Sequence, residues 1–185
     1  MVTIRTAAYR AFIAALTALT LWGCATKTPP RAQVPLQAQL DQVKERLFVL
    51  VEAERERLNR AAKPLILDGQ LMQAAQIHSN DMAMKHSFDV DNVDGNPAVN
   101  ALLMDPKFRG FVGENSAAQY FTPGTPIDVQ SFAQGFLAIW VGSIDHRMNI
   151  EYPGFDRTGI GISASGNTVY AAQVFATDLG LPEPQ

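Results

Sequence analysis

Two side chains in the second half of this 185-residue chain have the chemistry of a polar site. Glu114 lies in the run Gly113-Glu114-Asn115, and His146 lies between Ser143 and Ile150. A carboxylate beside a neutral imidazole can move a proton or bind a divalent metal ion. The residue types therefore predict a candidate catalytic or metal site, provided that the fold brings Glu114 and His146 together. The alternative is a structural role, in which a buried carboxylate or a His–Glu hydrogen bond holds two loops together.

The elements that must position these residues begin with helices. Apolar residues recur at helical spacing from Leu36 to Leu58, with charged residues on the opposite face. Asp68 is a suitable N-cap for a second helix over roughly Gly69 to Lys85, and a short helix follows over Ala98 to Met104. A third major helix begins after Asp128, and its expected apolar face comprises Phe132, Phe136, Ile139 and Trp140.

The remainder of the chain indicates β-structure. Residues 111–118 are typical of a loop that enters a short strand. Residues 158–163 and 168–175 read as two strands around Ser165-Gly166-Asn167, a hairpin turn sequence. Helices first and strands later predict an α+β domain in which helices pack on a sheet.

The N-terminus has the anatomy of a targeting signal. Arg5 and Arg10 precede an apolar stretch that is too short to span a bilayer as a mature helix. Leu21-Trp22-Gly23-Cys24 resembles a bacterial lipobox, which implies a lipoprotein signal peptide over residues 1–24 and diacylation of Cys24. The alternative is an ordinary secretory signal with an incidental cysteine.

Two acyl chains on Cys24 would hold the protein stably on a membrane. Ala25 follows the cysteine, and no Asp stands there to suggest retention at the inner membrane. We therefore expect an extracytoplasmic, lipid-anchored protein on the periplasmic face of the outer membrane. Residues 25–35 form a proline-containing tether, and residues 36–180 form one domain.

Composition excludes some classes of function. The net charge is −3 and the chain has no basic run, which argues against a nucleic-acid partner. Cys24 is the single cysteine, so no intramolecular disulfide can form. The domain must be stable through packing alone.

Several sequence blocks, in order, resemble the CAP superfamily, the SCP-like extracellular domain of cysteine-rich secretory, antigen 5 and pathogenesis-related proteins. The resemblance runs from about Leu47 to Thr177, and the implied fold is a three-layer α-β-α sandwich. The blocks that carry it are Leu58-Asn59-Arg60, Ala74-Ala75 with His78-Ser79, Gly113-Glu114-Asn115, Trp140 with Ser143 and His146-Arg147, Gly159-Ile160-Gly161, and Gln173-Val174-Phe175.

The resemblance implies a cleft with two histidines and two acids that can bind a divalent metal such as zinc. Glu114 and His146 match two of those positions, but Val90 stands where bacterial relatives place a first His. Tyr170 falls about where animal and plant members place their last His. A metal site would therefore need a third donor such as His86, while His78 is expected to be a hydrogen-bonded core residue.

Three functions remain open at this point. The first is a non-enzymatic binding or envelope-interaction module that binds an unknown protein, lipid or cell-wall ligand. The second is a metal-assisted hydrolase of peptide or cell-wall material, with His146 as general base and Glu114 orienting it or binding metal. The third is a lipid-binding protein, as some relatives of this type are.

Overall fold

Five helices and four strands are formed by the residues that the structure, a computed structural model, describes: 34–86, 96–105, 108 and 110–177. The elements in chain order are α1 (Leu36–Leu58), β1 (Ile66–Leu67), α2 (Gly69–Lys85), α3 (Pro97–Met104), β2 (Val112–Tyr120), α4 (Val129–Gly142), α5 (Ile144–Glu151), β3 (Arg157–Ser165) and β4 (Thr168–Ala176). The predicted helices and the C-terminal hairpin are thus confirmed. No described helix has the length and apolar character needed to cross a bilayer.

The four strands form one mixed sheet in the order β1-β3-β4-β2. Strand β1 is parallel to β3, whereas β4 is antiparallel to both β3 and β2. The β3–β4 hairpin turns at Gly166, whose φ of 58° is in the left-handed region that glycine adopts without steric cost. Strand β2 lies at one edge of the sheet, so one row of its backbone groups faces away from β4.

Helices cover both faces of this sheet. One buried cluster joins α2 to one face and includes Leu71, Ala75, Tyr170 and Val174. The other cluster joins α1 and α4 to the opposite face, with Leu47, Phe136 and Trp140 among its members. The arrangement is the expected three-layer α-β-α sandwich.

Two glycines of β3 allow α2 to lie very close to the sheet. A Cβ atom on Gly159 would stand 2.1 Å from the backbone carbon of Leu71, and one on Gly161 would stand 2.3 Å from that of Ala75. Real Cβ atoms do not approach backbone atoms so closely. The Gly-Ile-Gly run therefore sets the distance between α2 and β3.

A buried arginine connects α1 to the chain around α5. Arg55 is 2% exposed, and its guanidinium donates to four backbone carbonyls, those of Lys63, Ile150, Tyr152 and Phe155. These bonds satisfy carbonyls that the helix end and the following turn leave without partners. Burial lowers the pKa of Arg55, and the nearby Glu52 and Asp156 carboxylates oppose that effect.

Two expectations are corrected by the structure, and one helix is added that the sequence did not predict. Strand β2 has nine residues instead of forming a loop and a short strand, because pairing with β4 overrides the weak strand propensity of Gly, Asn and Ser. Residues 144–151 form helix α5, whose charged sequence has little apolar periodicity. Ile139 was expected on the buried face of α4 but is 41% exposed.

Candidate functional site

Edge strand β2 directs two neighbouring side chains to opposite faces of the sheet. Successive residues of a strand alternate between faces. Glu114 points toward α2, where it meets His78, whereas Asn115 points toward α5, where it meets the backbone of His146. The carboxylate and the amide of the Gly-Glu-Asn run thus serve different layers of the sandwich.

The Glu114 carboxylate is bound by side chains from two other elements. Its Oε1 atom lies 3.2 Å from Nε2 of His78 on α2. The same oxygen accepts a 3.2 Å hydrogen bond from Nδ2 of Asn96, which precedes α3. Asn96 also accepts a hydrogen bond from the backbone N–H of Val99 through its Oδ1 atom, so it connects Glu114 to the first turn of α3.

Burial dominates the electrostatics of this pair. Burial raises the pKa of Glu114 to about 7, although the Asn96 hydrogen bond lowers it. Burial also lowers the pKa of His78. Burial therefore disfavours the charged forms of both Glu114 and His78.

His146 is connected to the site through asparagine side chains. Its backbone carbonyl accepts a 3.0 Å hydrogen bond from Nδ2 of Asn115. Asn149 donates from Nδ2 to the backbone carbonyl of Glu114 and to Oδ1 of Asn115, at 3.0 and 2.9 Å. Burial lowers the pKa of His146, and its buried Nδ1 atom has no hydrogen-bond partner among the described residues.

The described residues do not by themselves supply a zinc site. Zinc sites normally use at least three protein donors. Glu114 and His78 provide two donors, but no group of three His, Cys, Asp or Glu residues stands together within the described ranges. His86, the third donor that a metal site would need, is an exposed C-cap of α2 with a φ of 51°.

Two further positions, at which relatives are expected to carry histidines, are Val90 and Tyr170. Val90 and the acidic residues around it lie outside the described residues. Tyr170 is 4% exposed and packs in the cluster under α2, so an aromatic ring fills that position.

Sequence reasoning missed two contributors to the site. His78 was predicted to be a core histidine without a stated partner, and its partner is Glu114. Asn96 was not predicted to contribute to the site. The signal for Asn96 was its place directly before Pro97, since an Asn-Pro pair is typical of a helix start.

Comparison with known proteins agrees with this fold. Residues 52–177 match the family model described as "CAP: Cysteine-rich secretory protein family". Among solved structures, an outer surface protein of Borrelia burgdorferi superposes with a TM-score of 0.57 at 14% identity, covering 78% of this chain and 96% of that one. A search of curated proteins found no match.

Two larger bacterial proteins share the fold. An extracellular SCP-domain protein from Bacillus anthracis has a TM-score of 0.57 at 24% identity, with 77% of this chain and 43% of that chain covered. A cysteine-rich secretory protein from Staphylococcus aureus has a TM-score of 0.55 at 16% identity, with 78% and 40% covered. The chain spans less than half of each of these two proteins, and at these identities the likeness shows the fold alone.

Proposed function

The chain belongs to the cysteine-rich secretory protein (CAP) family, and from that premise we propose that it is a lipid-anchored, extracytoplasmic binding module and not an enzyme. The relatives described as outer surface and extracellular proteins support the compartment. The lipobox-like run ending at Cys24 supports the anchor and the periplasmic face of the outer membrane.

One observation carries the non-catalytic interpretation. The Glu114 carboxylate is bonded by His78 and Asn96, and its backbone carbonyl is bonded by Asn149. Each of these bonds joins β2 to a different helix or helix start. A carboxylate used in this way stabilises the sandwich, and its contacts account for its burial without any substrate.

The test of this proposal separates stability from activity. The purified protein and its Glu114→Gln variant are incubated with a panel of peptides and with peptidoglycan, with and without added zinc. We expect no hydrolysis by either protein and a change in the melting temperature of the variant. Hydrolysis by the parent protein that Glu114→Gln abolishes would overturn the proposal.

The anchor has a separate test. The full chain and its Cys24→Ser variant are expressed in a bacterial host with radioactive palmitate. We expect label on the parent protein alone. Equal recovery of both proteins in the soluble fraction would contradict lipid anchoring and favour an ordinary secretory signal.

A hydrolase remains the second candidate, because one observation favours it. The pKa of Glu114 is raised to about 7, which is suited to general acid–base chemistry, and an imidazole nitrogen stands 3.2 Å away. In this hydrolase hypothesis, His78 replaces His146 as the partner of Glu114. An activity with a pH inflection near 7 that Glu114→Gln removes would support it.

A further inference from the structure

Helix α5 and its C-cap residue, Tyr152, present a stripe of large apolar side chains to solvent. Ile144, Met148 and Tyr152 follow one another at four-residue spacing, and their exposed fractions are 67%, 55% and 42%. Residues with this spacing lie side by side on one helical face. We call these three residues the α5 stripe.

The α5 stripe is held rigidly on the domain. On the opposite face of the helix, Ile150 is fully buried and Asn149 donates to the backbone of β2. The backbone carbonyls of Ile150 and Tyr152 accept hydrogen bonds from Arg55, and the Tyr152 ring packs edge-on against Phe155. An exposed apolar surface on a well-packed element indicates an interaction surface.

A cavity of about 300 Å³ continues this surface. Its lining residues are Leu58, Asn59, Met148, Glu151, Tyr152 and Pro153. Exposed single apolar residues are normal in proteins, but an aligned stripe beside a partly apolar hollow is a larger feature.

We propose that the α5 stripe docks on the surface of the lipid bilayer to which Cys24 is anchored; this inference rests on the proposed lipid anchor. Fully extended, the chain from Cys24 to Leu36 reaches at most about 40 Å. The rise along α1 from Leu36 to Arg55, which contacts α5, is about 29 Å. The tether is therefore long enough for the domain to lie on its side with α5 against the membrane.

The charges around the stripe indicate how it would bind. Helix α5 carries Asp145, Arg147 and Glu151, and it has no excess of positive charge. Attraction to anionic lipid headgroups therefore does not drive the contact. Burial of apolar side chains at the membrane interface drives the contact instead. The Tyr152 ring is suited to the headgroup boundary.

The experiment compares two exposed methionines on opposite faces of the sheet. Met148 lies on α5, and Met84 on α2 is 73% exposed. The full chain, its Met148→Trp variant and its Met84→Trp variant are purified from membranes and reconstituted in phosphatidylcholine vesicles with or without brominated acyl chains. The unsubstituted chain supplies the background emission of Trp140.

We expect brominated lipid to reduce the added emission of Met148→Trp at least twofold, in low and in high salt alike, and to leave that of Met84→Trp unchanged. Equal quenching of both variants, or quenching of neither, in protein that floats with the vesicles would overturn the proposal. Concentration-dependent dimers that Ile144→Ser abolishes would also overturn it, since a second copy would then cover the stripe.

Failure of the lipid anchor is distinguishable from failure of docking. If the protein does not float with vesicles, its Cys24 thiol is coupled to a maleimide phospholipid and the quenching is repeated. Quenching specific to Met148→Trp in the coupled protein supports docking even though the native anchor is wrong. Its absence there overturns docking independently of the anchor.

Discussion

Replacing Glu114 with glutamine should change how the stability of the domain depends on pH. The pKa of Glu114 rises from 4.5 to about 7 in the folded protein, chiefly through burial. A raised pKa means that the folded state prefers the protonated carboxyl. The stabilising contribution is complete below pH 4.5 and is lost as the pH rises through about 7.

The magnitude follows from that pKa change. With 1.36 kcal/mol for each pH unit, the contribution lost between about pH 5 and pH 8.5 is about 2.5 kcal/mol. Glutamine has a similar shape and does not titrate. The free energy of unfolding of the parent protein should therefore fall by about 2.5 kcal/mol relative to Glu114→Gln across this range.

The assay is urea unfolding of both proteins at a series of pH values. Comparing the two proteins removes the effect of His146, whose lowered pKa costs stability as the pH falls below 6.5 in both. The exposed Glu56→Gln variant serves as a control for loss of a carboxylate. A difference between parent and Glu114→Gln that grows with pH in favour of the parent would refute the reasoning, because an ion pair with His78 would then dominate over burial.

Three further changes test the packing. Arg55→Met removes four hydrogen bonds to buried carbonyls and should lower the free energy of unfolding by about 3–5 kcal/mol in urea. Gly161→Ala forces a methyl group into the backbone of α2 and should lower the melting temperature by many degrees, whereas Gly142→Ala has open space and should be neutral or stabilising. Asp68→Asn keeps the helix cap but loses the buried ion pair with Arg157, so circular dichroism should show an intact α2 in a protein that melts at lower temperature.

Much of the fold could be predicted because its local signals agree with its packing. Asp68 caps α2 as expected and accepts from the backbone N–H groups of Gln70 and Leu71. The helical period of the apolar residues predicts α1. The Ser-Gly-Asn turn sequence predicts the β3–β4 hairpin. In contrast, α5 carries one buried residue, Ile150, and its position depends on bonds from Arg55, which lies far away in sequence.

The site was harder to predict than the fold. The choice of His78 as the partner of Glu114 depends on which face of β2 carries the carboxylate, and this depends on a register that pairs Glu114 with Val174. No pattern within residues 112–120 specifies that register. It is determined by long-range pairing with β4, which becomes visible only in three dimensions.

This pairing makes the edge strand resistant to sliding. A slip of β2 by one residue would exchange Glu114 and Asn115 between the two sides of the sheet. The carboxylate would then leave His78 and meet the carbonyl of His146, which repels it, while the amide would leave that acceptor. Two unlike polar side chains, one on each face of the sheet, thus favour a single register of β2. A strand in the wrong register cannot satisfy the hydrogen bonds of both.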